Sequence, residues 1–164
     1  MKEEKPKKRI LTPSVAMEKA RAYCVYQERC QSEVRNKLYE WGLWQKDVES
    51  LIAALITEGF LNEERFAKTF AGGKFRIKKW GKKKITIELK KKNISEYCIR
   101  KALQEISNAD YFKTLKEIIK KKSSETKEKN PFRKKAKLAS YAISRGFENE
   151  MVWDFIHEMF DANR

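Results

Sequence analysis

Apolar residues near the start of the chain recur at helical spacing, and glycines mark where these patterns stop. The first pattern begins at Pro13, a residue favoured in the first turn of a helix. The second begins near Ser32 and stops at Gly42, and the third covers about 45–57 and stops at Gly59. Glycine readily adopts the left-handed conformation that closes many helices, so these patterns predict three successive helices.

The second and third of these helices recur twice further along the chain. When the sequence is aligned on Gly42, Asn93 and Gly146, the same offsets carry apolar residues in all three copies. These residues are Val34, Leu38, Leu43, Val48, Ile52 and Leu55, then Ile85, Leu89, Ile94, Ile99, Leu103 and Ile106, then Leu138, Ala142, Phe147, Val152, Ile156 and Met159. The interval is about 50 residues, the scale of tandem structural repeats.

Each later copy also has an amphipathic helix before it, containing Phe66 and Phe70 in one case and Tyr111 and Leu115 in the other. We therefore predict an all-α fold of three tandem three-helix, helix-turn-helix-like repeats in an elongated array. The predicted parts are a basic flexible arm at 1–13, repeat 1 at 14–58, a basic repeat 2 at 60–107, and repeat 3 at 109–161.

Two segments interrupt this pattern. The Gly72-Gly73 pair predicts a break in the helix that contains Phe66, because glycine is a poor helix former. The segment Lys120–Lys135 has low complexity and contains Pro131. It is either a flexible loop or a frayed helix end, and it serves either as a basic clamp or as a solvated linker.

Positive charge is concentrated in the middle of the chain. The 164 residues include 38 Lys and Arg against 23 Asp and Glu, which gives a formal net charge of +15. Repeat 1 is mildly acidic and the last helix is acidic, whereas Lys74–Lys92 and Lys113–Lys137 are strongly basic. Lysines at this density repel one another unless they meet a polyanion, so we expect them to contact nucleic-acid phosphates.

The segment KFRIKKWGKKK also places Phe75 and Trp80 among the cations. Such a mixture suits single strands, which offer phosphates for charge and bases for stacking. The alternative is that Phe75, Ile77 and Trp80 belong to the core, and for Trp80 this alternative is favoured. The candidate nucleic-acid or filament contacts are Lys74, Arg76, Lys78, Lys79, Lys82, Lys83, Lys84, Lys90, Lys91, Lys92, Lys134 and Lys135.

The sequence contains no motif of a catalytic, metal or cofactor site. The only histidine, His157, lies in an amphipathic C-terminal helix, where a histidine is more often a surface or packing residue than a catalyst. Cys24, Cys30 and Cys98 show no CxxC spacing and fit reduced thiols packed as small apolar residues. No apolar run approaches the roughly 20 residues that cross a bilayer. We therefore expect a cytoplasmic binding protein without enzymatic activity, metal or cofactor.

Three segments resemble the bacterial RecX family. They are ERCQSEVRNKLYEWG (Glu28–Gly42), GFLNEERFAKTF (Gly59–Phe70) and GKKKITIELKKKNI (Gly81–Ile94). The RFA segment with the preceding G-hydrophobic-L is the most specific of these signals. The resemblance covers about 14–107 by motif and the third repeat by pattern alone. Asn93 stands where the family typically has glycine, and Asn62-Glu63 replaces its usual acidic pair.

This resemblance implies three tandem three-helix repeats and regulation of the RecA recombinase. A protein of this kind would bind the RecA–single-stranded-DNA filament and inhibit its recombinase, ATPase and co-protease activities. The implied partners are RecA and single-stranded DNA, the latter bound without sequence preference and in a salt-dependent way. A monomer is the expected oligomeric state, and no membrane partner is expected.

Two other functions are compatible with the residues. A helix-turn-helix transcription regulator would need side chains that read base edges, and the third helices offer few beyond Arg100, Lys101 and Gln104. A protein-interaction scaffold would use the positive charge for solubility alone. Salt-dependent binding to bare single-stranded DNA would argue against the scaffold.

Overall fold

The structure of the protein, a computed structural model, describes residues 10–164. Within this range the regular elements are helices: α1 Pro13–Tyr26, α2 Gln31–Glu40, α3 Gln45–Thr57, α4 Glu63–Lys78, α5 Lys82–Lys91, α6 Glu96–Gln104, α7 Asn108–Glu125, α8 Pro131–Ser144 and α9 Asn149–Asp161. The all-α class and the succession of three helical triplets are thereby confirmed. The first nine residues of the predicted basic arm lie outside the described residues.

The three predicted stops do close helices in the left-handed conformation. Backbone φ is +88° at Gly42, +60° at Asn93 and +98° at Gly146. The residue after two of these stops donates a hydrogen bond to a carbonyl in the last turn of the helix. Leu43 N–H donates to the Leu38 carbonyl and Phe147 N–H to the Ala142 carbonyl, both at 3.2 Å. Asparagine is the residue besides glycine that most often tolerates this conformation, which explains Asn93.

The chain forms two compact units, which we call unit 1 and unit 2. Unit 1 comprises residues 10–66 and Lys92–Ile94, and unit 2 comprises Ala67–Lys91 and Ser95–Arg164. The apolar offsets of the repeat supply most of both cores: all of them are buried except Leu103 and Met159, which are half-buried. The period of the sequence pattern therefore follows from burial of one face of each helix.

The expected break at Gly72-Gly73 is wrong, because α4 continues through both glycines from Glu63 to Lys78. Ala67, Ala71 and Phe75 bury the same face of this helix on either side of the pair. This packing offsets the roughly 1 kcal/mol that each glycine costs relative to alanine. An added Cβ at Gly72 would meet only the far end of the flexible Arg76 side chain, so sterics do not require glycine there.

The segment Lys120–Lys135 contains both a helix end and a loop. Helix α7 continues to Glu125, residues 126–130 have no regular structure, and α8 starts at Pro131. The Asn130 side chain caps α8 by accepting hydrogen bonds from the N–H groups of Phe132 and Arg133, at 3.0 and 3.2 Å.

In unit 2 the start of α5 packs directly on the turn between α8 and α9. Gly81 N–H donates to the Arg145 carbonyl at 2.8 Å, and Lys83 N–H donates to the Gly146 carbonyl at 3.0 Å. A Cβ on Gly81 would collide with the backbone of Gly146 and Phe147. We call this backbone-to-backbone approach the glycine contact. It fixes α5 relative to α8 and α9.

The buried Tyr111 ring strengthens the same region. Its hydroxyl accepts a hydrogen bond from Lys82 N–H at 2.9 Å and donates one to the Glu148 carboxylate at 2.6 Å. The ring packs against Phe75 and Phe147, with centroid separations of 5.9 and 5.0 Å. One side chain of α7 thus holds α4, α5 and the start of α9 together.

Within residues 10–164, none of the helices combines the length and apolar character that a bilayer-spanning segment requires. Cys24, Cys30 and Cys98 are buried and form no disulfide in this range, and their burial agrees with the packing expected from their apolar neighbours. In the same range the structure holds no cluster of His, Cys, Asp and Glu arranged to ligate a metal ion.

Candidate nucleic-acid interface

The first candidate contacts surround Trp80, just beyond the end of α4. Lys79 closes this helix with φ of +58°, and Trp80 N–H donates to the Lys74 carbonyl at 3.2 Å. The indole is half-buried, with Lys74 Nζ 5.0 Å and Lys84 Nζ 4.6 Å from its ring centroid. These separations are within the range of cation–π attraction, so two of the predicted lysines are held over one aromatic ring.

The neighbouring apolar residues of the KFRIKKW segment differ in their environments. Phe75 is buried at 6% exposure, whereas Ile77 is 78% exposed. The core interpretation is therefore right for Phe75 and wrong for Ile77. Trp80 lies between these cases and packs edge-to-face on Phe70, with centroids 6.5 Å apart. The helical period explains the difference, because Ile77 lies on the opposite face of α4 from Phe75.

Two further candidate lysines line a groove of about 580 Å³ between α5 and α6. Lys82 and Lys90 come from α5, and Arg100 of α6 adds a third cation. Ile99 and Leu103 form the apolar part of the wall. The groove also contains Glu96, whose carboxylate lies 4.0 Å from Lys90 Nζ. Lys83 of α5 is exposed and is not among the residues that line this groove.

Arg76 and Lys79 line a second groove of about 310 Å³, together with Lys113. Three carboxylates, those of Glu105, Asp110 and Glu117, line the same groove and balance its positive charge.

Lys91 and Lys92 are engaged in ion pairs. Lys91 Nζ lies 2.9 Å from Glu88 in the preceding turn of α5. Lys92 belongs to unit 1, where its Nζ lies 2.9 Å from Glu33 and its carbonyl accepts a hydrogen bond from Ser32 at 3.1 Å. The Lys92–Glu33 pair is partly buried, so this lysine also has a structural role.

Lys134 and Lys135 occupy the first turns of α8 and line none of the four grooves described in unit 2. Lys135 Nζ lies 5.1 Å from the Phe160 ring.

Other cations that line the grooves of unit 2 were not among the predicted contacts. They are Lys68, Arg100, Lys113, Lys121, Lys122 and Arg145. The basic stretch at Lys113–Lys137 signals three of them, but only the packing of α7 against α8 shows which face each one occupies. Arg145 precedes a helix-ending glycine and carries no signal of its own in the sequence.

Unit 1 differs in that three of its four described arginines are paired with glutamates. Arg21 makes two hydrogen bonds to Glu58, at 2.9 and 3.0 Å, and Arg35 makes two to Glu49, at 2.8 and 3.2 Å. In each case the hydrogen bond from arginine holds the pKa of the glutamate below its ordinary value. Arg65 pairs with Glu28 at 2.6 Å. The positive charge available for a polyanion is therefore concentrated in unit 2.

These features define an all-helical protein of three-helix domains whose second compact unit is rich in cations. Sequence models for "RecX, second three-helix domain" and "RecX, third three-helix domain" match residues 62–103 and 109–156. The chain belongs to the RecX family.

Named relatives agree with this assignment. "Regulatory protein RecX" of Clostridium acetobutylicum is 31% identical over 139 residues, which cover 82% of this chain and 64% of the relative. The chain thus spans less than two thirds of that protein. "Regulatory protein RecX" of Thermotoga maritima is 26% identical over 159 residues, which cover 96% of this chain and 92% of the relative.

Solved structures of the family share the fold. A crystal structure of regulatory protein RecX superposes with a TM-score of 0.81 at 20% identity, over 89% of this chain and 73% of the other. The crystal structure of RecX from Lactobacillus salivarius gives 0.74 at 21% identity, over 92% and 97% of the two chains.

Proposed function

We propose that this protein binds the RecA–single-stranded-DNA filament and inhibits its recombinase, ATPase and co-protease activities. The observation that carries this proposal is membership of the RecX family, whose curated relatives are named as regulatory proteins. The chain would act as a monomer in the cytoplasm and by binding alone, without catalysis or a cofactor.

The cations of unit 2, together with Lys92 of unit 1, supply the proposed contact with the filament. The contacts are Lys74, Arg76, Lys78, Lys79, Lys82, Lys83, Lys84, Lys90, Lys91, Lys92, Lys134 and Lys135. Each cation that neutralises a phosphate releases a counterion, so the attraction is strong at low salt and independent of base sequence. Lys74 and Lys84, held over Trp80, form the best-defined part of this surface.

The three-helix domains explain how weak contacts add up along a filament. Once one domain is bound, the covalent connection raises the effective concentration of the others near the same strand. A protein bound across several recombinase–DNA contacts would oppose the cycle of nucleotide hydrolysis that needs the filament to change state. Inhibition would then require far less protein than coating the DNA.

The first test is DNA-dependent ATP hydrolysis by the cognate RecA on single-stranded DNA, measured while this protein is titrated in. We expect inhibition at concentrations well below those that coat the DNA. No inhibition, or inhibition only at coating concentrations, would refute the proposed function. Tight binding to one duplex sequence would instead favour a transcription regulator.

A charge-reversed variant tests the assigned surface. Lys83→Glu with Lys90→Glu changes two exposed side chains of α5, and we expect it to weaken inhibition and its dependence on salt. The matched control is Lys46→Glu with Lys127→Glu, which changes the net charge equally at exposed positions outside the proposed contacts. Equal effects of the two variants would contradict the assignment of these lysines.

A further inference from the structure

The two basic stretches of the sequence meet in one groove of unit 2. The groove has a volume of about 400 Å³ and is formed by the last turn of α4, the second half of α7 and the end of α8. Lys78 and Lys79 come from the first basic stretch, Lys121 and Lys122 from the second, and Arg145 from the residue that follows α8. We call it the basic groove.

The basic groove is the most positive of the four grooves described in unit 2. Its five cations face two carboxylates, those of Glu117 and Glu125, which leaves a formal excess of three positive charges. The groove between α5 and α6 has three cations and one carboxylate, and the groove around Arg76 and Lys113 is balanced. Low-dielectric walls concentrate the field of such a groove and attract an anion of opposite charge.

Part of this positive charge is fixed in position. The Arg145 guanidinium donates a hydrogen bond to the Lys78 carbonyl, while its Nε is buried and has no hydrogen-bond partner among the described residues. Lys122 Nζ lies 5.0 Å from the centroid of the Tyr141 ring. Lys78 and Lys121 are exposed, and none of the ion pairs found in the described residues involves them.

The groove also offers apolar and aromatic surface beside its cations. Ile77 is 78% exposed at one edge, and the half-buried Tyr141 contributes its ring. Ile77 therefore gives a ligand apolar surface to pack against, next to the lysines of the groove. A single nucleic-acid strand presents a phosphate and the flat face of a base in each nucleotide, and so it matches both properties. An acidic peptide matches only the charge.

We propose that the basic groove binds a single-stranded nucleic acid, with phosphates at Lys78, Lys121 and Arg145 and a base against Ile77 and Tyr141. The choice of a single strand as the ligand rests on the proposed function. The inference adds a defined binding site, with Lys121, Lys122, Tyr141 and Arg145 as contacts outside the set predicted from the sequence. It places the strand on the face of unit 2 where α4, α7 and α8 end.

The test is the salt dependence of binding to a fluorescently labelled oligothymidylate, measured by anisotropy. The variant Lys78→Gln with Lys121→Gln removes two charges but keeps two polar side chains at exposed positions. If each lysine releases a counterion from single-stranded DNA, the slope of log K against log salt falls in magnitude by about 1.4. We take the two lysines to contribute nothing to binding at about 1 M salt. A slope change of about 1.4 over one decade of salt then makes the variant bind oligothymidylate about 25-fold more weakly than wild-type protein at about 0.1 M salt.

The matched control is Lys127→Gln with Lys129→Gln, in the nearby segment 126–130 that lies outside the groove. We expect it to keep the wild-type slope to within a few tenths. Equal losses in the two double variants would overturn the proposal, because they would show an effect of net charge alone. Equally effective competition by polyglutamate would also overturn it, since the groove would then recognise acidic chains in general.

RecA-dependent ATP hydrolysis, measured on the same proteins, separates this proposal from the proposed function. If wild-type protein inhibits RecA and the groove variant binds oligothymidylate normally, the basic groove is refuted and the proposed function stands. If the groove variant loses oligothymidylate binding as expected but wild-type protein does not inhibit RecA, the groove is supported and the proposed function is refuted.

Discussion

Replacing Tyr111 with phenylalanine tests whether one hydroxyl holds the helices of unit 2 in place. The ring is 2% exposed, and phenylalanine would keep its packing against Phe75 and Phe147. The hydroxyl, however, is both the acceptor for Lys82 N–H and the donor to Glu148. Lys82 is the first residue of α5, where no earlier carbonyl of the helix can accept its N–H.

The expected cost follows from these two hydrogen bonds. A hydrogen bond to a charged group contributes about 1.5–3 kcal/mol, and an unsatisfied donor costs about 1–3 kcal/mol when it is buried. Lys82 and Glu148 are half-buried, so water can replace part of what is lost. We therefore expect Tyr111→Phe to lower the free energy of unfolding by about 2 kcal/mol, which for a chain of this size lowers Tm by about 6 °C.

Urea denaturation followed by circular dichroism and tryptophan fluorescence measures this change. Tyr97→Phe is the matched control because Tyr97 is 52% exposed, and it should change the free energy of unfolding by less than about 0.5 kcal/mol. If Tyr111→Phe lowers the free energy of unfolding by less than about 0.5 kcal/mol, the reasoning is refuted, because water would then replace both hydrogen bonds of the hydroxyl at little cost.

The pH dependence gives an independent check on the same hydroxyl. Burial, and then the hydrogen bond to Glu148, raise the pKa of Tyr111 well above its ordinary value. The folded state therefore holds the phenolic proton more tightly than the unfolded state does. This contribution is complete below the unfolded pKa of about 10 and is lost as the pH rises above it. Wild-type protein should lose more stability than Tyr111→Phe above about pH 10.

Three further predictions concern other parts of the fold. Gly146→Ala should lower the free energy of unfolding, measured by urea denaturation, by more than about 2 kcal/mol, because φ is +98° and the new Cβ would lie 2.6 Å from the Lys84 backbone nitrogen. A loss below about 1 kcal/mol would contradict the glycine contact. The hydrogen bond from Arg21 lowers the pKa of Glu58, so the ionised carboxylate stabilises the folded protein above the unfolded pKa of about 4.3, and this stabilisation is lost as the pH falls. Between about pH 5 and 3, the Tm of wild-type protein should therefore fall further than the Tm of Glu58→Gln. Burial raises the pKa of the Cys24 thiol, and all three cysteines are buried, so they should react slowly with a disulfide reagent until urea unfolds the protein. Rapid reaction of the native protein would contradict their burial.

The elements that local chemistry determines could be predicted from the sequence. The bounds of α3 follow from apolar periodicity and from the glycine after it, and the left-handed closures at Gly42, Asn93 and Gly146 follow from residue type. The continuity of α4 could not be predicted in this way. It depends on burial of Ala71 and Phe75, which outweighs the local preference of two glycines.

The sequence identified most of the basic residues of the candidate site, but it could not show which of them lie side by side. The density of lysine at 74–92 predicts a polyanion-binding region, and the structure places Lys74 and Lys84 together at Trp80. Which cations share a groove depends on where α7 and α8 end, and so Lys121 and Arg145 enter the site only through packing. Lys92 is the opposite case, because its partner Glu33 is distant in sequence and could not be identified from charge counts.

Arg145 links the glycine contact to the basic groove. Its carbonyl accepts the hydrogen bond from Gly81 N–H, and its guanidinium donates to the Lys78 carbonyl at the end of α4. The backbone packing that fixes α5 on α8 therefore also fixes one cation of the groove before any ligand arrives. Because the Arg145 side chain is already ordered, it loses less conformational entropy when a ligand binds. The close packing of Gly81 on Gly146 therefore increases the affinity of the basic groove, although neither glycine lines it. By this reasoning Gly146→Ala should weaken oligothymidylate binding as well as stability, although it leaves every cation of the groove in the sequence.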